Sequence, residues 1–368
     1  MSTVLALNCG SSSLKWAIFE DDREQSRATV ERIGAGGPPD HAAAVATVFE
    51  ALATRKLTPR AVGHRLVHGG PAHSAPERVT DALVASLTRA IPFAPLHLPA
   101  ELKVIEAVRA RFGELPQVVC FDTAFHRTLP EVARRFALPR ALFDAGVRRY
   151  GFHGLSYEFV VESLGKAALG RAVLAHLGSG ASLAAVRDGQ SIDTTMAFTP
   201  TAGLVMSTRA GDLDPGLIVY LLEHGGYDAK RLAELVNHQA GLLALSETSA
   251  DMRHLLAASA ADPRAAFAVE VFCYQATKWI GALAAALGGL DALVFTGGIG
   301  EHAPEIRARL CGNLAHLGIT VDDARNQAGD PIISADGSAC TVRVIATNEE
   351  RMIARHTRRV LDSEALAR

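Results

Sequence analysis

No run of lysines or arginines occurs anywhere in the chain, and 37 basic residues face 39 acidic ones, a formal net charge of −2. The electrostatic footprint of a nucleic-acid binder, or of a protein held on an anionic membrane, is therefore missing. Any anionic ligand must be gripped by a few placed groups. Cysteine is sparse: Cys9, Cys120, Cys273, Cys311 and Cys340 are odd in number, far apart and without a CxxC pair. That spacing argues against a disulfide framework and a structural zinc site, and fits a reducing compartment. The fourteen histidines include no HExxH or similar ligand spacing, so no metal cluster is expected. The most apolar stretch, 279–295, is interrupted by Gly288, Gly289 and Asp291, and no basic segment precedes the first apolar run. Neither a membrane span nor a signal peptide is expected.

What is present is repetition. At about 150 residues per domain, 368 residues predict two domains. An apolar run at 4–7, a small polar turn at 8–13 and a second apolar run at 14–19 read as a β-hairpin with a glycine/serine tip. The same unit returns at 172–186, with its tip at 178–182. Two α/β domains facing one another across a ligand cleft are therefore expected. Helical spacing covers 82–91, 98–112, 157–169, 215–224, 231–237, 264–287 and 304–317, and short apolar strands are expected at 61–67, 117–121 and 290–296. The glycine-, proline- and charge-rich stretch 21–43 reads as a surface connection.

Several segments carry residue types suited to chemistry. Asn8-Cys-Gly-Ser-Ser-Ser-Leu-Lys15 offers backbone N–H groups, hydroxyls and a cation to phosphate oxygens, but its spacing is not GxxxxGK[ST] and no helix follows, so it is not a Walker A loop. Taken alone it is equally an ordinary hairpin tip, as is Gly178-Ser-Gly-Ala-Ser182. Arg65 and Arg209 each lie among glycines, which suits close approach of a ligand; a surface ion pair is the competing reading. Asp122 follows an apolar strand, where open α/β sheets keep functional carboxylates, and a turn aspartate is the alternative. His153 stands between glycines, presented to a ligand or simply structural. Gly297, Gly298 and Gly300 would let a flat base or ribose approach the backbone, though GxGxxG is absent. Asp214 is an N-cap before Pro215. Thr347 and Glu350 have capping-box spacing, which leaves Glu349 as a partner for Mg²⁺.

Seven segments in order, Asn8 to Lys15, His64-Arg-Leu-Val-His-Gly-Gly70, Phe121-Asp-Thr-Ala-Phe-His126, Arg149-Tyr-Gly-Phe-His-Gly154, Thr208-Arg-Ala-Gly-Asp-Leu-Asp-Pro215, Thr296-Gly-Gly-Ile-Gly-Glu301 and Thr347-Asn-Glu-Glu350, resemble the acetate kinase (acetokinase) family across nearly the whole chain. The resemblance implies duplicated actin-like ATPase (ribonuclease H-like) α/β domains with an interdomain cleft. An N-terminal domain would span 1–126, with the helix 352–366 returning to it, and a nucleotide-binding and dimerisation domain would span 127–351. It implies a cytoplasmic homodimer joined through the C-terminal domains that converts ATP and acetate to ADP and acetyl phosphate. Mg²⁺ is the implied metal, with Mn²⁺ as a substitute, and no nucleic-acid or membrane partner is implied.

Carried over by motif, Ser11, Ser13 and Lys15 would lie on the phosphate side, and Asn8 and Glu349 on the metal side. Arg65, Asp122, His153, Arg209 and His97 would form the reacting centre, with Val67, Leu96, Phe152 and Pro200 as a methyl pocket. His176, Gly178, Ser179, Gly180, Asp251, Met252, Arg253, Gly298, Ile299 and Gly300 would contact the nucleotide. Ser179, Leu98 and Met252 stand where the family usually has two asparagines and a phenylalanine, which bears on donor binding. Propionate or butyrate kinase, and a non-catalytic nucleotide-binding module of the same fold, are the alternatives.

Overall fold

The computed structural model describes residues 3–10 and 12–366. The chain divides into two compact units, one comprising Met1–Arg127, Gly154–Phe159 and Asn348–Arg368, the other Thr128–His153 and Val160–Thr347.

In the first unit, β1 (Thr3–Cys9), β2 (Leu14–Glu20) and β3 (Arg23–Val30) form an antiparallel meander. β4 (Ala61–Leu66), β5 (Glu77–Arg78) and β6 (Gln117–Phe121) complete a sheet of order β3-β2-β1-β4-β6-β5, with β4 parallel to β1 and β6 parallel to β4. Central strands buried on both faces need continuous apolar runs, and β1 and β6 have them. β3 corrects the expected surface connection at 21–43. Its residues alternate between exposed and half-buried at one end of the sheet, so a polar edge strand carried no apolar periodicity to read.

The helix Leu98–Phe112 turns Leu98, Leu102, Ile105 and Val108 inward. The helix Glu349–Leu366 lies on β1, β4 and β6, so closely that a Cβ at Gly63 of β4 would collide with Thr357 and Ile353. Its N-cap corrects the capping-box reading. Asn348 Oδ1 accepts from Arg351 N at 2.9 Å, while the buried Thr347 hydroxyl has no hydrogen-bond partner.

The second unit repeats the plan. β7 (Arg171–Leu177), β8 (Ala181–Arg187) and β9 (Gln190–Thr194) are antiparallel, and β10 (Ala292–Thr296) and β11 (Thr341–Val344) continue in parallel beside β7, in the order β11-β10-β7-β8-β9. Three antiparallel strands followed by strands parallel to the first therefore occur twice, the duplication expected from the hairpin repeat. The helix Pro263–Leu287 packs on β7 and β8. It opens with Asp262 capping Arg264 N and Pro263 at its first position, and ends at Gly288 with φ of 70°, the usual asymmetry of helix ends. Asp214 likewise caps Gly216 N and Leu217 N. The helix expected over 157–169 is two, Gly154–Leu164 and Lys166–Leu169, divided at Gly165 with φ of 77°. Another expected helix, 304–317, stops at Gly312, and a 3₁₀ turn follows at Ala315–Leu317. Among the described residues no helix is long and apolar enough to cross a membrane.

Candidate active site

In the first unit the parallel strands β1, β4 and β6 end at one edge of the sheet. Register places Asn8 beside Arg65 and Arg65 beside Cys120, and Asp122 N donates to Leu66 O just beyond β6. Arg65 and Asp122 form a nearly enclosed pair, with side-chain exposures of 15% and 1%. Arg65 Nε donates to Asp122 Oδ1 at 3.0 Å and Oδ2 at 3.1 Å, and Nη2 also reaches Oδ2. Arg65 Nη1 donates to Asn8 Oδ1 at 3.3 Å, and Asn8 Nδ2 donates to Glu349 Oε2 at 2.8 Å and Glu350 Oε1 at 3.0 Å. A carboxylate, a guanidinium, an amide and two further carboxylates thus stand in one row. Burial pulls the Arg65 pKa down, but Asp122 and Glu349 outweigh it and hold it above its ordinary value.

Glu349 is therefore engaged through Asn8 rather than standing apart, and Glu350 joins it instead of capping the helix. Among the described residues no three His, Cys, Asp or Glu side chains cluster as a metal cage. Two carboxylates meeting at one amide fit a small divalent cation that keeps most of its water, as Mg²⁺ does. Gly10 N donates to Ser13 O at 2.8 Å across the hairpin tip, and Lys15 is an exposed residue opposite Asn8. Ser11 lies outside the described residues. His41 Nε2 meets Gly10 O at 2.9 Å, a brace that no local pattern indicated. His97 is the half-buried N-cap residue of the helix Leu98–Phe112.

In the second unit the residues expected to handle phosphate gather around the β7–β8 tip. A Cβ on Gly180 would lie 3.3 Å from His153 Nε2 and 3.4 Å from Arg209 Nη1. His153 Nδ1 meets Ser182 Oγ at 2.8 Å, and the His153 ring stacks on His176 with centroids 4.2 Å apart. His153 adopts φ of 59°, a left-handed conformation that His tolerates better than most residues. Arg209 Nη1 donates to Pro200 O at 3.1 Å, and Ser207 N donates to Ser179 O at 3.1 Å.

Next to this tip is a cavity of about 1090 Å³, lined by Gly178, Ser179, Met252, Arg253, Gly298 and Ile299 among others. Asp251 also lines it; its pKa is lowered to about 2 by hydrogen bonding to Arg253. His176, Gly180 and Gly300 are not in the cavity wall. Asp323, Asn326 and Gln327 are, and sequence reading missed them. The buried Arg307 ties this wall together, donating to Asn326 Oδ1 at 2.8 Å and to Gly300 O at 2.9 Å. Glu301 was missed as well: its Oε1 accepts from Gly297 N at 2.8 Å and Thr347 N at 3.1 Å.

The four expected methyl-pocket residues divide between the units. Val67 and Leu96 belong to the first, where Val67 is 3% and Leu96 47% exposed; Phe152, 1% exposed, and Pro200 belong to the second. Glu101 of the helix Leu98–Phe112 lies close to Val67: it is 1% exposed, and both its oxygens accept from Val67 N at 3.1 Å. Sequence reading missed it; a charged residue among Leu98, Leu102 and Ile105 is the signal that could have found it.

Two sheets of the same order, with functional side chains at the carboxyl edge of one and glycine-rich turns around a cavity in the other, define an actin-like ATPase fold of the phosphotransferase class. The Acetokinase family model matches residues 33–355, and the chain belongs to that family. It is 45% identical to the acetate kinase of Rhodopseudomonas palustris, with 98% of each chain covered. Among solved structures it is similar to the acetate kinase of Porphyromonas gingivalis (38% identity, TM-score 0.88) and to a propionate kinase from Francisella tularensis (35%, TM-score 0.93). In both cases 98% of this chain and 100% of the other are covered.

Proposed function

We propose that the chain is an acetate kinase, transferring the terminal phosphoryl group of ATP directly and reversibly to acetate. The observation that carries the reading is the paired Arg65, held by buried Asp122 at the edge of the first sheet, in a chain of this family. A carboxylate attacking a polyphosphate brings two anions together, and like charges about 4 Å apart repel by roughly 4 kcal/mol at an effective dielectric near 20. Arg65 and Arg209 offset that repulsion at the carboxylate and the phosphoryl group. Acetate is already ionised near pH 7, so no general base is needed. Asp122, both oxygens engaged by Arg65, orients that guanidinium instead of accepting a proton. When Ser182 donates to Nδ1, His153 carries its proton on Nε2 and offers it to a phosphoryl oxygen. Alignment and charge neutralisation then suffice for an in-line transfer.

Mg²⁺ would neutralise charge on the donor phosphates, and Asn8, Glu349 and Glu350 are the residues that would hold it through water. The 1090 Å³ cavity suits the adenosine, with Asp251, Met252 and Arg253 on one side and Gly298 and Ile299 on the other. A cytoplasmic location goes with this reading.

A homodimer through the second unit is part of it too. The helix Pro215–Glu223 buries none of its residues, and Val219 and Tyr220 are 51% and 58% exposed; an apolar helix so uncovered suits a second copy. Light scattering on the purified protein at twice the monomer mass, and at monomer mass for Tyr220→Asp, is the expected outcome. Acetyl hydroxamate formed from acetate, ATP and MgCl₂ tests the activity. An inactive protein that still binds ATP would favour a binding module. Propionate is the competing acceptor, supported by the likeness to a propionate kinase. Because one methylene discriminates by only about 1–3 kcal/mol, kcat/KM for acetate, propionate and butyrate decides between them.

A further inference from the structure

We infer that Glu101 is a positioning residue for the acceptor carboxylate, fixing the backbone just beyond Arg65 by clamping the amide of Val67. The inference rests on the kinase reading above and extends it to a residue that takes no part in the transfer. β1 pairs with β4 only as far as Asn8 opposite Arg65, so Val67 N–H emerges past the last rung of the ladder between them. A buried backbone donor needs an acceptor, and the helix Leu98–Phe112 supplies one from its apolar face, with both Glu101 oxygens at 3.1 Å. An enclosed carboxyl is a costly way to satisfy one amide. Its position explains the cost, because the amide it holds lies two residues past Arg65, at the end of β4. The clamp therefore holds the strand end that carries Arg65 and places the Val67 side chain two residues further on. Burial, reinforced by Asp122 and opposed by Arg65 and the Val67 N–H, raises the Glu101 pKa to about 8. A neutral acid that accepts one hydrogen bond is closely reproduced by glutamine.

Two crossed variants separate reach from charge. Glu101→Gln keeps the reach and removes the ionisable carboxyl; Glu101→Asp keeps the carboxyl and withdraws it by one methylene. Steady-state kinetics with acetate and MgATP should give an acetate KM within about twofold of wild type for E101Q and raised about tenfold for E101D, with the MgATP KM unchanged in both. Hydrogen exchange at the Val67 amide reads the clamp whatever the substrate is: slow in wild type and E101Q, fast in E101D. An acetate KM raised equally in both variants, unchanged in both, or raised together with the MgATP KM would overturn the inference. So would a Val67 amide that is as protected in E101D as in wild type. An inactive wild type would count against the kinase reading, and the exchange measurement would still decide the clamp.

Discussion

Arg65 and Arg209 share a chemical role in this proposal but differ in what their loss leaves behind. Arg65→Ala strands the Asp122 carboxylate, 1% exposed, without its cation. Breaking a buried ion pair from one side costs about 3–5 kcal/mol, or about 6–20 °C in Tm at 2–4 °C per kcal/mol. Arg209→Ala removes bonds to neutral acceptors, Pro200 O at 3.1 Å and Met206 Sδ at 3.8 Å among them, each worth about 1 kcal/mol or less. Each substitution should lower kcat by about 10³-fold, the scale of an arginine that neutralises a phosphoryl group in flight. Adding Asp122→Asn to Arg65→Ala removes the stranded charge and should restore at least half of the lost stability without restoring turnover. Differential scanning fluorimetry and the hydroxamate assay on wild type and the three variants provide the check. An unchanged melting temperature in Arg65→Ala, or no recovery in the double variant, would refute the buried-pair argument. Turnover within tenfold of wild type would refute the catalytic one.

Gly180→Ala should lower kcat about tenfold or more with Tm nearly unchanged, because the new methyl crowds His153 Nε2 and Arg209 Nη1 at 3.3 and 3.4 Å and displaces both from their alignment. Normal turnover would remove the tip from the reacting centre. Glu301→Ala leaves Gly297 N and Thr347 N without their acceptor, at about 1–3 kcal/mol each; it should raise the MgATP KM and spare the acetate KM, with Glu301→Gln recovering most of the loss. Relative to Glu101→Gln, wild type should lose stability as pH rises from about 5 to 8. Native Glu101 keeps its proton up to about 8 while the unfolded chain releases it near 4.3, so the native state binds more protons and rising pH favours unfolding, by on the order of 4 kcal/mol over the window. Taking the difference cancels His64, whose burial lowers its pKa to about 4; a difference in urea midpoint that stays flat with pH would be the contrary result.

How far the fold could be read depended on whether a residue's partner was near in sequence. β1 and β2 were legible because apolar runs flank a tip of small residues, and the cap at Asp214 because both acceptor and donors lie within three positions. β3 was not, since its pairing with β2 leaves a polar face to solvent. Glu350 was assigned to a cap because the local spacing allowed it, yet its observed donor is Asn8, 342 positions away. Arg307 bonds the cavity-lining Asn326 across 19 positions, with no periodicity to join them. Arg65 and Asp122 were legible singly, from glycines and from a strand end. The resemblance grouped them at one centre, but the direct ion pair depends on β4 and β6 being neighbours, which the sheet order shows.

The charge bookkeeping of the two units points to a division of labour. At the edge of the first sheet, Asp122, Glu349 and Glu350 outnumber Arg65, so the row Asn8, Arg65, Asp122, Glu349 and Glu350 carries a formal −2, which matches a divalent cation. Of the carboxylates lining the second unit's cavity, Asp251 is paired with Arg253 and Glu305 with Arg309, and Asp323 is the third; around the neighbouring tip, Arg209 and His153 stand with glycine backbone. That surface favours an anion. On the kinase reading, a metal–nucleotide substrate carries a cation of the kind such a row suits and phosphates of the kind such a tip suits. On the same reading, a free nucleotide is repelled by the first row, and among the described residues no three His, Cys, Asp or Glu side chains offer a free cation a cage. Loss of either Glu349 or Glu350 should therefore weaken the metal–nucleotide complex more than metal-free nucleotide, whereas Arg209→Ala should weaken both, and isothermal titration with ATP in MgCl₂ or in EDTA distinguishes them. Equal weakening of both ligands by Glu349→Ala would place that carboxylate outside metal binding.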